Sequence, residues 1–593
     1  TSSLASVDAV QEFRIETSSF APEFGRVPGG QVVITTRSGG NQLHGEIFDY
    51  IRNDIFDANN WFANHAGNPR PEERQNDLGG TFSGPIVRNR TFFFLSYEAL
   101  RLRQPATQVI AVPSFQTRSM ATTSAAPYIN AYPRPPASTA GINASTVPFT
   151  GSYSDNATVD AGSVRVDHEL TSRMKLFGRY DQAPSTTASR RDSLSEILSA
   201  DANTKTLTVG TDVIITPWLE NSVRVNYSVQ KAGTDYSLDA FGGAVPPSFG
   251  LLVPPPFSNG KGQGIFLPSD APSYILGHNS ENRVRQIEFS DTVDRVIATH
   301  ELKFGADYRS IVTRATPVNF AAAYVLFSSL QQFAGSGTAD LVEGVADRSG
   351  KALFRNLSLF AQDSWKAGTK LTITYGLRWE LNPAPVGQDG TFLASWLNVD
   401  NPAQTTLAPA GTPVWRTTYG NIAPRLGIAY KLNSKGNFVL RGGWGLFYDL
   451  GTGQVASLLT GFPNFASKLA FGLSLPLSDA SAITPVFSTQ PPYQTASYIN
   501  AFSPNLKLPR SYQWNLSVER ALGIQQSLSL SYVGQTGRRL LRVEDEAMPN
   551  SNFASPFLLT TNGGTSSYNA LQTQFRRRLT SGCLLSGLDC QHR

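Results

Sequence analysis

Apolar and polar side chains alternate along many short stretches of this chain. From Leu371 to Glu380 the odd positions carry Leu, Ile, Tyr, Leu and Trp, whereas the even positions carry Thr, Thr, Gly, Arg and Glu. The same period of two recurs over 223–230, 302–309 and 527–532. Strict alternation predicts β-strands that have one apolar face and one polar face.

These predicted strands come in pairs. A short turn joins the members of each pair, and a long irregular stretch rich in Pro, Ser, Thr, Ala and Gly separates many of the pairs. The pairs include 206–215 with 219–230, 356–365 with 371–380, 422–432 with 438–449, and 512–521 with 527–535. The irregular stretches are 102–160, 232–280, 312–352, 382–419 and 450–510. Short turns that alternate with long loops are typical of an outer-membrane β-barrel, whose turns face the periplasm.

A soluble β-sandwich and a β-solenoid are the alternatives to a membrane barrel. Loops this long count against a compact soluble domain, and a solenoid requires a fixed repeat that is absent here. A bilayer requires an apolar outward face and a closed sheet, because an open strand edge in hydrocarbon leaves backbone groups unpaired. The pattern therefore predicts an all-β fold, an antiparallel transmembrane β-barrel with about sixteen strands from Leu43 onward.

Aromatic residues near the predicted strand ends and on apolar faces support this interpretation. Girdles of Trp and Tyr mark the two interfaces of a membrane barrel. The residues concerned are Trp218, Trp365, Trp379, Tyr448, Trp514 and Tyr532.

Composition fits strands joined by loops and excludes some classes of protein. Gly and Pro number 50 and 37, and only 16% of residues are charged, against about 25% in a typical soluble protein. The net charge is +5, but the basic residues are dispersed, and the cluster at 576–578 is interpreted as a polar strand end. The two cysteines, Cys583 and Cys590, supply neither a disulfide framework nor a metal site for the fold. We expect no nucleic-acid partner.

The sequence contains no motif for catalysis or metal binding. It lacks a nucleophile elbow, a Walker motif and H-E-x-x-H, and its six histidines are scattered at positions 44, 65, 168, 278, 300 and 592. The glycine-rich stretch 260–264 has no predicted helix after it and is not interpreted as a phosphate site. Four carboxylates suggest calcium but lack EF-hand spacing and are interpreted as solvated loop residues: Asp54, Asp57, Glu72 and Glu73. We expect no enzyme activity, no catalytic residues, no metal and no cofactor.

The sequence leaves the ligand and its binding residues unknown. Four aromatic residues in predicted loops are candidates for stacking on sugars or peptides, namely Trp61, Phe62, Tyr493 and Tyr498. Aromatic side chains in loops also serve as local anchors, and this second interpretation is favoured.

Several motifs occur in a fixed order along nearly the whole chain. They are 10–26, 29–39, 78–87, 91–98, 359–365, 423–430, 441–449 and 512–520. Together they resemble TonB-dependent outer-membrane receptors, especially the Oar-like branch, whose members carry a carboxypeptidase-regulatory-like domain ahead of the plug. The resemblance implies that 1–40 is the C-terminal end of a plug domain and that 41–579 is an outer-membrane barrel with long extracellular loops. Residues 580–593 are interpreted as an aberrant tail from a frameshift or a truncated gene.

The resemblance also implies an activity, partners and a location. Family members take up ligands across the outer membrane, and the periplasmic protein TonB captures an N-terminal segment by strand addition to displace the plug. The implied partners are outer-membrane lipid, the TonB complex and an unidentified extracellular ligand, in the outer membrane of a Gram-negative type bacterium. Members close about 22 strands, so the prediction here falls about six strands short. The TonB-binding segment and most of the plug are expected to precede Thr1, so the chain is interpreted as a fragment.

Two other functions stay open at this point. A surface-exposed structural or adhesive barrel would use the same long loops to bind a matrix or another cell. A soluble, secreted, carbohydrate-binding β protein would need no membrane.

Overall fold

The computed structural model describes residues 6–16, 21–26, 28–65, 67–450, 457–495, 498–578 and 584–587. These residues form one sheet of 23 strands and two separate two-stranded sheets. The described part does not include residues 579–583 and 588–593. Both cysteines and most of the expected aberrant tail lie in these two ranges.

The strands take up most of the chain. They are β1 (Val10–Glu16), β2 (Gln31–Thr36), β3 (His44–Asn53), β4 (Arg74–Val87), β5 (Thr91–Pro113), β6 (Thr146–Thr171), β7 (Met174–Arg190), β8 (Glu196–Thr216), β9 (Leu219–Leu238), β10 (Gln263–Pro268), β11 (Tyr274–Ile297), β12 (His300–Pro317), β13 (Ala321–Leu326), β14 (Thr338–Asp347), β15 (Gly350–Ala367), β16 (Leu371–Leu381), β17 (Val386–Gly387), β18 (Trp396–Leu397), β19 (Thr406–Leu407), β20 (Ile422–Lys431), β21 (Phe438–Tyr448), β22 (Phe465–Ser474), β23 (Ile499–Phe502), β24 (Arg510–Leu522), β25 (Gln526–Asp545), β26 (Phe557–Arg578) and β27 (Leu584–Gly587).

Helices are few and short in the described part. The α-helices are α1 (Trp61–His65), α2 (Phe115–Met120), α3 (Ala126–Asn130), α4 (Phe249–Leu252), α5 (Leu330–Ser336) and α6 (Ser457–Thr460). The 3-10 turns are Val7–Ala9, Asp54–Phe56, Ala137–Thr139, Phe241–Gly243 and Pro402–Gln404. None of the helices described is long and apolar enough to cross a membrane.

Sixteen long strands follow one another as antiparallel neighbours, and we call them the wall. They are β3, β4, β5, β6, β7, β8, β9, β11, β12, β15, β16, β20, β21, β24, β25 and β26. The wall confirms the predicted all-β antiparallel architecture. The large sheet has 23 strands, more than the about sixteen predicted, because it also contains β10, β13, β14, β17, β22, β23 and β27, each of ten residues or fewer.

The connections differ between the two ends of the wall. At one end, which we call the short-turn end, brief turns join the strands, as at 88–90, 217–218 and 523–525. At the opposite, long-loop end the connections include 54–73, 114–145, 239–273, 318–349, 382–421 and 449–509, while 191–195 is short. This asymmetry is the one expected for a membrane barrel, whose long loops are extracellular.

The wall strands extend further toward the long loops than the alternation predicts. Residues 102–160 were expected to be irregular, but β5 continues to Pro113 and β6 begins at Thr146. Beyond the bilayer neither face of a strand has to contact lipid, so the alternation of apolar and polar residues is lost. Polar residues can then lie opposite each other, and the hydroxyls of Thr107 and Ser152, for example, lie 3.2 Å apart. The prediction of wholly irregular stretches is therefore wrong, because strands project beyond the apolar band.

The apolar faces of the wall strands point outward and are exposed. Ile287 and Phe289 of β11 are 47% and 41% exposed. Phe289 lies between Val225 of β9 and Tyr308 of β12, and Ile287 lies opposite Tyr227 of β9. Trp218, Trp365 and Tyr532 are also exposed, as expected for interfacial aromatic residues, whereas Tyr448 is only 6% exposed and packs with Ala423 and Leu446. Such an outward band buries its area only against lipid.

The long-loop end has hydrophobic cores of its own. Loop helices α3 and α5 and strands β10, β13 and β14 enclose one core around Tyr128, Phe266 and Phe333. Trp396 is the centre of a second core, with Phe462, Tyr493, Phe553 and Phe557 around it. Packed aromatic cores of this kind hold long loops in place.

Candidate functional site in the lumen of the wall

The inward face of the wall surrounds the N-terminal part of the chain. Strands β1 and β2 form an antiparallel hairpin in which Phe13 lies opposite Ile34. Two inward-facing arginines of the wall, Arg165 and Arg179, donate hydrogen bonds to the Thr36 hydroxyl at 3.0 and 3.2 Å. The hairpin is therefore attached to the wall at the end of β2.

Residues 21–26, which we call the plug segment, contact the opposite side of the wall through backbone carbonyls. Arg378 of β16 donates to the carbonyl oxygens of Pro22 and Glu23, each at 3.3 Å. Arg425 of β20 donates to the carbonyl of Phe24 at 2.6 Å and to that of Ala21. Two neighbouring wall strands thus bind four consecutive carbonyls, and no side chain of the plug segment is needed for these bonds.

Glycine allows this close approach. A Cβ atom added at Gly25 would lie 2.2 Å from Nε of Arg378 and 2.7 Å from Oε1 of Glu380. On the wall, a Cβ added at Gly376 would lie 2.8 Å from Cγ of Pro22. All three distances are shorter than real Cβ contacts. The backbone of residues 21–26 can therefore lie this close to β16 because Gly25 and Gly376 have no side chain.

Arg378 is itself held by a buried carboxylate. Its Nε donates to Oε1 of Glu380 at 2.6 Å, and both residues are 2% exposed. The hydroxyl of Ser358 donates to the other oxygen of Glu380 at 2.5 Å. The Arg425 guanidinium lies 4.2 Å from the centre of the Phe447 ring, which fixes its position beside Arg378.

The charged side chains of the plug segment face carboxylates and a lysine on β11 and β12. Arg26 donates to Oε1 of Glu288 at 2.8 Å and also pairs with Asp307. Glu23 accepts from Lys303 at 2.9 Å. Burial alone would lower the pKa of Arg26, but the charges of Asp307 and Glu288 outweigh it and raise this pKa above its usual value. The Arg26 side chain therefore stays charged.

These contacts are polar, which determines what the site can do. Charge-assisted hydrogen bonds are directional and specific, and water can replace each of them when the partners separate. A segment held in this way can be released and can bind again without exposing a large apolar surface. The site thus has the chemistry of a reversible attachment of residues 21–26 to the wall.

The sequence identified one partner of this site and missed the others. The 10–26 motif was recognised, whereas Arg378, Glu380 and Arg425 were present only as polar-face residues of predicted strands. One signal in the sequence could have identified these residues. They are charged and lie at inward positions in the middle of their strands, and a water-filled lumen alone does not require charged residues there.

The candidate calcium residues are neutralised by arginines. Asp54 pairs with Arg70 at 3.3 Å, and Glu73 and Asp57 pair with Arg52 at 2.8 and 3.8 Å. Glu72 pairs with Arg74 at 2.6 Å and also with Arg103. Within the described ranges, no group of three His, Cys, Asp or Glu residues is arranged to hold a metal ion.

The candidate loop aromatics do not form one site. Tyr493 is 4% exposed and lies in the core around Trp396, so it is a local anchor. Trp61 and Phe62 of α1 are 66% and 54% exposed and contact each other edge to face at 5.1 Å, whereas the 48% exposed Tyr498 belongs to a different loop. Of the four candidates, Trp61, Phe62 and Tyr498 are thus the exposed ones.

A concavity of about 850 Å³ lies elsewhere, on the outward face of β3 to β7. Its floor contains Gly80 and Gly162, and Ile47, Phe82 and Tyr97 line its sides. It opens toward lipid and not toward the lumen, so it is not an entrance for a ligand that crosses the wall.

Comparison with known proteins agrees with this architecture. The family model described as outer membrane beta barrel domain matches residues 35–124 and 115–587. A segment of 96 residues is 31% identical to the TonB-dependent transporter Oar of Myxococcus xanthus and covers 16% of this chain and 9% of Oar.

Solved structures of outer-membrane transporters and receptors share the fold. The outer membrane transporter YddB from Escherichia coli matches with a TM-score of 0.60 at 11% identity, over 96% of this chain and 61% of YddB. The siderophore receptor PirA from Acinetobacter baumannii matches with a TM-score of 0.54 at 12% identity, over 96% of this chain and 65% of PirA. The ferric enterobactin receptor PfeA from Pseudomonas aeruginosa matches with a TM-score of 0.54 at 12% identity, over 98% of this chain and 67% of PfeA.

The chain spans less than two thirds of the length of YddB and PirA and a small part of Oar. At such low identities the solved structures show the fold alone. The related proteins are transporters and receptors, in agreement with the expectation that this chain is not an enzyme. The chain belongs to the outer membrane beta barrel domain family, has the fold of outer-membrane transporters, and is located in an outer membrane of the Gram-negative type.

Proposed function

We propose that this protein takes up a ligand across the outer membrane and that TonB supplies the energy by displacing the lumen contents. The observation that carries the proposal is the plug segment, whose backbone is bound to the wall by Arg378 and Arg425. A static barrel has no use for a lumen segment held by buried charge, whereas a transporter needs one that closes the path and can be released.

The strength of the attachment suits an energised step. Hydrogen bonds to charged groups each contribute about 1.5–3 kcal/mol net, and the plug segment makes several with residues of four wall strands. Thermal motion rarely breaks all of them together. A pulling force applied to the N-terminal side can break them one after another, because they lie along a short piece of backbone.

Ligand capture is assigned to the long-loop end. The cores around Phe266 and Trp396 hold the loops in fixed positions, and Trp61 and Phe62 present an exposed aromatic pair there. PirA is a siderophore receptor and PfeA is a ferric enterobactin receptor, but an identity of 12% does not transfer their ligands to this chain. The ligand class is therefore left open in the proposal.

The transport proposal can be tested before the ligand is identified. The host strain, a strain without this gene and a strain without TonB are grown in the same medium, and mass spectrometry follows the compounds that each strain removes. We expect at least one compound to be removed by the host strain alone and uptake to return when the gene is restored. If the deletion strain and the host remove the same compounds, the transport proposal is wrong.

The same strains distinguish a structural or adhesive barrel. Loss of attachment to a surface or to other cells in the deletion strain, with unchanged removal of compounds and no effect of TonB, would assign the loops to adhesion. The buried carbonyl contacts of the plug segment favour transport over this alternative.

A further inference from the structure

Four basic residues form one cross-strand row on the outward face of the wall. Lys231 of β9 lies opposite Arg283 of β11, Arg283 lies opposite Arg314 of β12, and Arg314 lies opposite Lys351 of β15. Residues directly opposite one another in a sheet place their side chains on the same face. Ile287 and Phe289 share that face with Arg283 at alternate positions of β11 and are exposed, so the row points away from the lumen.

Three more cations extend this row toward the membrane. Lys205 and Arg285 lie in the next same-face row, which also contains Val229 and Val312, and Arg355 lies one row further. We call the seven residues the basic ridge, and they are Lys205, Lys231, Arg283, Arg285, Arg314, Lys351 and Arg355. Tyr227 and Ile287 share the row of Arg355 and are exposed, and in the row below them Val225, Phe289 and Tyr308 continue the exposed apolar band. The ridge therefore lies where the apolar band ends on the side of the long loops.

Few acidic partners neutralise the basic ridge. Lys351 pairs with Asp389 at 2.9 Å. In the part of the chain that the structure describes, the other six have no carboxylate oxygen within 4.0 Å. Asp201 and Glu281 lie on the same face one row further out, beyond that distance.

Two outward arginines of β5 do have carboxylate partners. Arg101 of β5 pairs with Asp160 of β6 at 2.8 Å, and Arg103 pairs with Glu72. In the basic ridge, by contrast, cations without such a partner lie next to one another on neighbouring strands. Like charges directly opposite each other destabilise a sheet, and neighbouring strands are only about 4.8 Å apart. An anion that bridges adjacent strands would remove this repulsion.

We propose that the basic ridge binds phosphate groups of lipids in the outer leaflet. Guanidinium groups bind phosphate oxygens in pairs, and the two exposed arginines at positions 283 and 314 are directly opposite each other. The apolar band begins two rows beneath Arg283, at Tyr227 and Ile287, so the acyl chains of a lipid whose phosphate is bound there would lie against this band. A soluble anion would gain nothing from this band, which favours a lipid as the occupant.

The experiment uses the full chain, purified in a neutral detergent, and native mass spectrometry. Three probes are compared at equal concentration, namely dioleoylphosphatidic acid, dioleoylglycerol with the same chains and no phosphate, and inorganic phosphate. The test variant is K231Q/R283Q/R314Q. The matched control is R101Q/R103Q, which removes two outward arginines that have carboxylate partners. Binding is normalised to the folded fraction, measured by heat-modifiable migration.

We expect the unmodified protein to retain phosphatidic acid and to retain neither of the other probes. The triple variant should bind phosphatidic acid at least about tenfold more weakly, because three cations near an anionic group are lost, and the control should change little. Equal binding by the triple variant, or equal retention of dioleoylglycerol, would overturn the proposal. Retention of inorganic phosphate to the same extent as the lipid would assign the ridge to a soluble anion instead and would also overturn it.

Discussion

At the scale of single residues, Arg378 and Glu380 form a fully buried ion pair in the lumen. Replacing Arg378 with Ala leaves Glu380 buried with Ser358 as its remaining neutral donor and frees two carbonyls of the plug segment. We expect a loss of about 3–5 kcal/mol in the free energy of unfolding, because the buried carboxylate loses its hydrogen-bonded cation and keeps only the more distant charge of Arg425. Guanidinium titration of the heat-modifiable band measures it.

An exposed pair supplies the control for this change. Arg441 and Glu519 lie 3.4 Å apart, with side chains 56% and 45% exposed. Arg441→Ala should lower the free energy of unfolding by less than about 1 kcal/mol, since exposed ion pairs contribute little. An equal loss in both variants would show that the Arg378 pair has no special role.

Gly25 sets how closely the plug segment lies against β16. Gly25→Ala introduces a Cβ that would lie 2.2 Å from Nε of Arg378, so the segment must move away from the wall. We expect faster hydrogen exchange at the amide of Phe24, measured by mass spectrometry of the peptide that contains residues 21–26. Gly29→Ala is the matched change, because a Cβ at Gly29 has no neighbour within 4 Å, and it should leave exchange unaltered. Equal exchange in both variants would contradict this geometry.

The residue-scale contacts could not be derived from the sequence. Arg378 and Pro22 are 356 positions apart, and nothing in either strand pattern specifies their partnership. The sequence did place Arg378 on the polar face of its strand, and the structure agrees. The pattern therefore gives the direction of a side chain, whereas the partner depends on the packing of a distant segment.

At the scale of elements, period-two alternation predicts the part of each strand that contacts lipid. It placed one strand at 371–380, and β16 runs from Leu371 to Leu381. It did not predict β10, β13, β14 and β22 in the loops, because their buried side chains pack into the core around Tyr128, Phe266 and Phe333 and do not form a face toward lipid. Burial along β13, for example, is nearly continuous.

Strand β14 gives the long-loop end a dependence on pH. Burial raises the pKa of Asp347 to about 7 from 3.8, and its Oδ1 atom is buried without a hydrogen-bond donor. Between these values the folded state holds a proton that the unfolded chain has released, so stability falls as pH rises through this range. Pulse proteolysis in guanidinium should therefore show β14 and its partner β22 to be less stable at pH 8 than at pH 5.

Asp347→Asn should reduce that difference, and Glu343 of the same strand, whose pKa burial also raises, should account for part of what remains. Asp340 of the same strand has a lowered pKa because its carboxylate accepts hydrogen bonds from Ser328 and Phe327, so Asp340→Asn should leave the difference between pH 5 and pH 8 in place. A pH dependence that persists undiminished in Asp347→Asn would assign it to another group.

At the scale of the whole molecule, the two faces of the wall contact different surroundings. The outward face presents an apolar band with the basic ridge at its upper limit, and the inward face binds the hairpin and the plug segment through charged side chains. The sequence predicted the wall and its asymmetric connections from local pattern alone. It could not predict the ridge, because the row exists only once the register of four strands is fixed.

Movement of the plug segment is the central requirement of the proposed transport. Cysteines at positions 23 and 303 replace a pair whose charged atoms lie 2.9 Å apart, in a chain with Cys583→Ser and Cys590→Ser. A bifunctional methanethiosulfonate reagent joins the two cysteines, and a reductant separates them. The Glu23→Cys single variant, treated in the same way, controls for modification without a link to the wall.

Uptake of the compound identified in the deletion comparison is then measured in cells that carry the linked protein, before and after reduction. We expect uptake to stop while the segment is linked to β12 and to return when the link is reduced, with the single variant active throughout. Undiminished uptake by the linked protein would show that the segment does not have to move for transport.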